Sequence, residues 1–76
     1  MEQSVRLVSP QIFFQPVFND RVVRDGGIVR RSMAEVDRAV GRAAFLHEVR
    51  RRGWHAIENA GWITVFCNTE PFRVLC

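Results

Sequence analysis

Residues 32–53 read SMAEVDRAVGRAAFLHEVRRRG, and this is the most informative segment of the chain. Ser32 followed three positions later by Glu35 forms a capping box, which is typical of a helix start. A largely apolar set then recurs every three or four residues, as on one helix face: Met33, Val36, Ala39, Val40, Ala43, Leu46 and His47. Gly53 stands where a left-handed residue commonly ends a helix. We therefore predict one long amphipathic helix over about residues 32–52.

Two features complicate this helix. Gly41 in its middle costs about 1 kcal/mol relative to alanine, and the alternative is that it separates two shorter helices. Phe45 and Val49 lie off the main apolar face, four residues apart, and form a second apolar strip. A helix with two apolar faces is either packed on both sides or has a second face free for a partner.

The pattern after the helix is typical of β-strands. Residues 54–58 and 62–67 flank Asn59-Ala60-Gly61, a three-residue loop with glycine where positive φ is favoured. Residues 72–75 follow Glu70-Pro71 as a third strand, which completes an antiparallel meander. This register places four side chains on one sheet face: Trp54, Trp62, Phe66 and Arg73.

The first 31 residues are predicted to be extended or to form a short hairpin around Asp25-Gly26-Gly27. No repeat, linker or low-complexity stretch divides the 76 residues, so we predict one small domain over 1–76. The predicted fold class is α+β, with the long helix packed on an antiparallel sheet. A chain of this size buries only about 60% of its unfolded surface, so self-association is a common source of extra stability.

The charge is concentrated in the middle of the chain. All eleven basic residues are arginine, which indicates either selection for bidentate anion contacts or the codon bias of a GC-rich genome. Nine arginines and four acids fall within residues 21–52. The absence of a leader-like start and of a long apolar run predicts a cytoplasmic protein that does not insert into a membrane.

Six arginines are candidates for binding an anionic partner: Arg30, Arg31, Arg42, Arg50, Arg51 and Arg52. Phosphate contacts by such residues would supply salt-dependent affinity for nucleic acid. The simpler interpretation is a solvated helix end, because cations in the last turn interact favourably with the helix dipole. Glu48 is also placed to pair with Arg51 or Arg52.

The aromatic side chains are candidates for a protein interface. The predicted interface joins the aromatic sheet face to the second helix strip: Trp54, Trp62, Phe66, Arg73, Phe45 and Val49. The alternatives are internal packing of the same side chains and stacking of unpaired bases on the aromatic face.

Catalytic, cofactor and metal sites are not expected. His47, His55, Cys67 and Cys76 match no paired zinc-ligand spacing, and no nucleophile or phosphate-loop motif is present. The predicted register separates the two cysteines too widely for a disulfide, so we expect two buried thiols.

The sequence thus predicts a small non-catalytic protein-binding module, such as an adaptor, inhibitor or assembly subunit of the kind found in phages and mobile elements. A homodimer or another protein partner is expected, and no small-molecule substrate. The alternative is a nucleic-acid-binding protein that contacts phosphates through residues 42–52.

Overall fold

The computed structural model describes residues 10–76. Within that range the chain forms helices α1 (Pro10–Val17), α2 (Asp20–Asp25), α3 (Met33–Ala39) and α4 (Arg42–Arg51), and strands β1 (Ile28–Ser32), β2 (His55–Asn59) and β3 (Trp62–Phe66). The strands form one antiparallel sheet in the order β1-β3-β2. The predicted α+β class is therefore confirmed.

The predicted C-terminal meander is wrong in its third strand. We expected residues 72–75 to pair beside β3, but β1 occupies that side of β3, with Val29 opposite Val65. Because β2 occupies the other side, β3 has no free edge to offer. Residues 72–76 have no regular secondary structure.

The single long helix is also wrong, since α3 ends at Ala39 and α4 begins at Arg42. The amides of Val40 and Gly41 both donate to the carbonyl of Val36, at 3.0 and 2.8 Å, which closes the last turn of α3. Gly41 then adopts φ 89° and ψ 150°, a conformation open essentially to glycine. The glycine is the joint between two helices.

This break changes which side of α4 faces the core. Phe45 and Val49, predicted as an exposed second strip, are buried, and Phe45 has no exposed surface. Ala43 and His47, predicted on the buried face, are exposed. The periodicity counted through Gly41 loses its phase because the two helices do not share one axis.

Residues 10–25 are mostly helical, which corrects the expectation of extended chain or a hairpin there, whereas residues 28–31 are extended as expected, in β1. Asn19 accepts a hydrogen bond from the Val22 amide at 3.0 Å and so caps the start of α2. Gly26, at φ 63°, ends α2 in the left-handed conformation. Asp25-Gly26-Gly27 is thus a helix end leading into β1, and residues 1–9 lie outside the described range.

The turn between β2 and β3 contains two residues. Asn59 is opposite Trp62, and Ala60 and Gly61 between them have φ of 54° and 81°. Positive φ at both central positions is characteristic of a type I′ turn. The predicted three-residue loop is therefore wrong by one position, and a shift of one residue moves every β2 side chain to the opposite face of the sheet.

The core lies between the helices and one face of the sheet. Val29, Ile63 and Val65 contribute from the strands. The rings of Phe14, Phe18 and Phe45 pack together from the helices, with centroids 5.8 to 6.1 Å apart. Both cysteines are free as expected; Cys67 is buried, but Cys76 is exposed and corrects the expectation of two buried thiols.

Candidate protein-binding face

The sheet face opposite the core carries large apolar side chains that remain in solvent. Alternation along the paired strands places nine residues there, and we call seven of them, without the strand-end residues Ser32 and Asn59, the open face: Ile28, Arg30, His55, Ile57, Trp62, Thr64 and Phe66. Ile28, Ile57 and Trp62 are 62%, 45% and 41% exposed. Among residues 10–76, no helix or strand covers this face.

A cation–π contact orders the middle of the open face. Arg30 and Trp62 lie on neighbouring strands, and the guanidinium carbon of Arg30 is 4.4 Å from the Trp62 ring centroid. Such a contact contributes about 0.5–1 kcal/mol at an exposed site. It holds the indole in place while the guanidinium keeps hydrogen-bond donors for a partner.

One end of the open face is flanked by Phe72. Its ring lies 4.9 Å from the His55 ring, measured between centroids, and half of its surface is still exposed. The apolar area therefore continues from the strands onto the segment that follows β3.

The structure brings together Trp62 and Phe66 of the predicted interface but not the other members. Trp54 lies on the core side of the sheet, packed edge-on against Phe18 at a centroid distance of 5.3 Å. Its assignment to the aromatic face came from the incorrect hairpin register. Phe45 and Val49 are buried in the core, and Arg73 is exposed outside any strand.

Two of the three arginines at the end of α4 are held by one carboxylate within the chain. Arg51 donates two hydrogen bonds to the Glu48 carboxylate, at 3.2 and 2.7 Å, and Arg52 donates a third. The hydrogen bonds from Arg51 lower the pKa of Glu48; burial opposes this shift, and Arg52 adds to it. A carboxylate held in this way keeps its charge and competes with any anion for both guanidinium groups.

Arg52 also has a packing role. Its guanidinium carbon lies 5.2 Å from the Phe18 ring centroid and 5.0 Å from that of Trp54. With its hydrogen bond to Glu48, the side chain joins α4 to the end of α1 and to the start of β2. This residue contributes to the fold through packing that the solvated helix-end interpretation did not include.

The remaining candidate arginines are spread over the surface. Arg31 lies 3.8 Å from Glu35, and Arg42 lies 4.0 Å from Glu58. Within residues 10–76, Arg50 is the member of the six that contacts neither a carboxylate nor an aromatic ring. Arg30 and Arg31 lie on β1, Arg42 begins α4, and the other three lie at its C-terminal end.

Ile28 and Ile57 belong to the open face and were missed by the sequence reasoning. The signal that would have found Ile57 is the Ala60-Gly61 pair, because a two-residue turn places Ile57 opposite Thr64. To place Ile28 on this face, one would have to know that β1 pairs with β3, which is about half of the chain away in sequence.

A small apolar cavity lies on the core side of β2, next to α4. Its volume is about 150 Å³, and its lining includes Met33, Leu46, Ala56 and Ile63. Arg42 and Glu58 also border it. It has room for one side chain of a partner.

Other kinds of site lack support in the described part of the chain. No three His, Cys, Asp or Glu side chains there are grouped so as to hold a metal ion. No helix of residues 10–76 has both the length and the apolar composition needed to cross a membrane. Searches against protein-family models, curated proteins and solved structures found no match.

Proposed function

We propose that this protein is a small non-catalytic protein-binding module and that its open face is the binding surface. The observation that carries the proposal is the exposure of Ile28, Ile57 and Trp62 on one rigid sheet face. Contiguous apolar surface of this kind is typical of interaction sites on soluble domains. Burial of this surface on a partner would stabilise the complex by about 25 cal/mol for each Å² of apolar area removed from water.

The face also suggests the chemistry of its partner. Arg30 lies over Trp62, so a carboxylate on the partner would meet a guanidinium that has no carboxylate among the described residues. Tryptophan and arginine are the residue types most enriched at energetic centres of protein interfaces. We therefore propose that the partner presents an apolar surface bordered by an acidic side chain. We also propose a cytoplasmic location.

Nucleic-acid binding has weaker support. Glu48 holds Arg51 and Arg52, and Glu58 lies beside Arg42. A phosphate would have to displace these carboxylates, at sites that do not form one groove. Of the two functions predicted from the sequence, the structure thus favours protein binding.

The test begins with capture of partners from the host lysate, with and without nuclease, followed by binding measurements on the purified partner. We expect Trp62→Ala to weaken the complex about thirtyfold or more, as at an interface hot spot. Ile12→Ala is the matched control, because Ile12 is exposed on α1, away from the sheet. Equal affinity of the wild type and Trp62→Ala would contradict the proposal.

Salt dependence separates the two functions. A protein interface centred on Trp62 should change little between about 50 and 200 mM salt, whereas phosphate binding should weaken by orders of magnitude. Loss of the captured partner on nuclease treatment, together with that salt dependence, would support the nucleic-acid alternative instead.

A further inference from the structure

Strand β2 lies at an edge of the sheet, and its outward backbone groups have no partner within residues 10–76. The Cys67 amide donates a hydrogen bond to the Gly27 carbonyl, and the Met33 amide donates one to the Gly61 carbonyl. The odd-numbered residues of β3 therefore direct their backbone groups toward β1. The even-numbered residues of β3 therefore bond β2. Because antiparallel pairs alternate in this way, the N–H and C=O groups of Ala56 and Glu58 point outward.

The opposite edge of the sheet is less available. On β1 the same alternation directs the backbone groups of Ile28, Arg30 and Ser32 outward. The carbonyl of Arg30 accepts a hydrogen bond from the Arg31 side chain at 2.8 Å, and Ser32 starts α3 as its N-cap. A bulky charged side chain at an edge hinders the approach of another strand.

Residues 72–76, FRVLC, are a strand-like segment without a sheet. Val74 and Leu75 are 80% and 85% exposed, and this composition of β-branched, aromatic and aliphatic residues is favoured in strands. An unpaired edge and an unpaired strand-like segment therefore occur in the same chain. They complement one another.

The side-chain alternation of this segment fits the two sides of β2. Within one chain, the Phe72 ring contacts His55 on the open face. In a strand added to β2 with Phe72 on that face, alternation would place Val74 on the same face and Arg73 and Leu75 on the core side. The core side holds the apolar cavity of about 150 Å³, with Met33 and Leu46 in its lining. A leucine side chain fits such a space, which the Glu58 carboxylate borders at 4.0 Å from Arg42.

We infer that residues 72–76 of one copy add as a fourth strand to β2 of a second copy, and that the exchange is reciprocal. The partner is therefore another copy of this chain, bound through main-chain hydrogen bonds at the β2 edge and through Leu75 in the cavity. Strand addition at an exposed edge is a common recognition mode. The inference concerns the edge of the sheet and does not depend on the function proposed for its open face.

The test compares the oligomeric state of variants by sedimentation equilibrium. Ala56→Pro removes an outward N–H group without removing a β2–β3 hydrogen bond, since proline is tolerated at an edge. Leu75→Asp places a charge in the cavity. We expect a wild-type dimer, and a rise of the dissociation constant by about a hundredfold or more for either variant. Ile12→Asp, a charge at an exposed apolar residue on α1, should leave the dimer unchanged.

A photo-crosslinker at position 58 identifies the occupant of the edge. In a mixture of isotopically light and heavy chains, we expect crosslinks from position 58 of one chain to residues 72–76 of another. Crosslinks within single chains only, or a wild-type monomer at high micromolar concentration, would overturn the inference. A dimer lost in Trp62→Ala but kept in Ala56→Pro would also overturn it, and would locate self-association on the open face.

Discussion

At the scale of single residues, Ala60 has an unfavourable backbone conformation. It occupies the first central position of the type I′ turn with φ 54°, where the side chain of an L-residue costs about 1–2 kcal/mol. We expect Ala60→Asn to stabilise the protein by about 0.5–1 kcal/mol, because asparagine followed by glycine is the preferred pair in this turn. Chemical denaturation of the two proteins measures the difference.

Ala60→Val provides the control for this turn. A β-branched side chain tolerates positive φ poorly, so this variant should be less stable than the wild type. Equal stability of all three proteins would contradict the assigned turn.

Glu48 makes the folded state sensitive to acid. Hydrogen bonds from Arg51 lower its pKa from the usual 4.5, so the folded state binds this proton less readily than the unfolded state does. The resulting stabilisation is complete above the unfolded pKa and is lost as the pH falls through the folded pKa. We expect the free energy of unfolding to decrease on acidification below about pH 4.5.

The control for this effect is Glu48→Gln, which has no carboxyl group to titrate. It should be less stable than the wild type near neutral pH, and the difference should shrink in acid. A difference that stayed constant across the acid range would show that Glu48 is not the group responsible.

At the scale of secondary-structure elements, the joint between α3 and α4 can be tested by one substitution. The sign of the resulting change in the free energy of unfolding distinguishes one helix from two. If Gly41 lay inside a continuous helix, Gly41→Ala would stabilise the protein by about 1 kcal/mol. At φ 89° and ψ 150°, the same change should instead destabilise it by about 1–3 kcal/mol. Thermal or denaturant unfolding measures the sign.

Ala44→Gly is the matched control, since Ala44 is an exposed residue within α4. It should cost about 1 kcal/mol, as expected for glycine in a helix interior. If Gly41→Ala stabilised the protein, this result would support a single continuous helix and contradict the break at Gly41.

The sequence predicted the elements that have strong local signals, but neither the N-terminal helices nor the pairing of β1. Ser32 caps α3 as expected, with its hydroxyl accepting a 3.1 Å hydrogen bond from the Glu35 amide, because this interaction is local. The third strand was misassigned because a preference for extended structure does not specify the neighbouring strand. The pairing of β1 with β3 depends on contacts between residues that are distant in the chain.

The candidate site was affected by the same limitation. Trp62 and Phe66 were placed together correctly, because both lie on β3 and their separation is even. Trp54 and Ile57 were exchanged between faces, since one extra loop residue reverses β2. Phe45 and Val49 were misplaced because a helix axis cannot be extrapolated through a glycine with positive φ.

At the scale of the whole molecule, the two cysteines report on the integrity of the core. Cys67 is 2% exposed and Cys76 is exposed. Burial raises the pKa of Cys67, opposed in part by the charge of Arg52. We expect a thiol reagent to label Cys76 at once and Cys67 at a rate limited by opening of the core. Mass spectrometry during labelling follows both reactions.

Cys76→Ser should remove the fast reaction and leave the slow one. A mild denaturant should then accelerate labelling of Cys67 in proportion to the population of open molecules. Rapid labelling of Cys67 in the folded protein would contradict its burial behind the sheet.

The central position of β3 has a consequence for biosynthesis. Ile28 pairs with Phe66, so β1 leaves the ribosome long before its neighbour is translated. Helical turns and the β2–β3 hairpin form from nearby residues within microseconds, whereas β1 must wait and then close a loop of about half the chain, which is slow. We therefore expect the last step of folding to be the docking of β1 onto the β2–β3 hairpin.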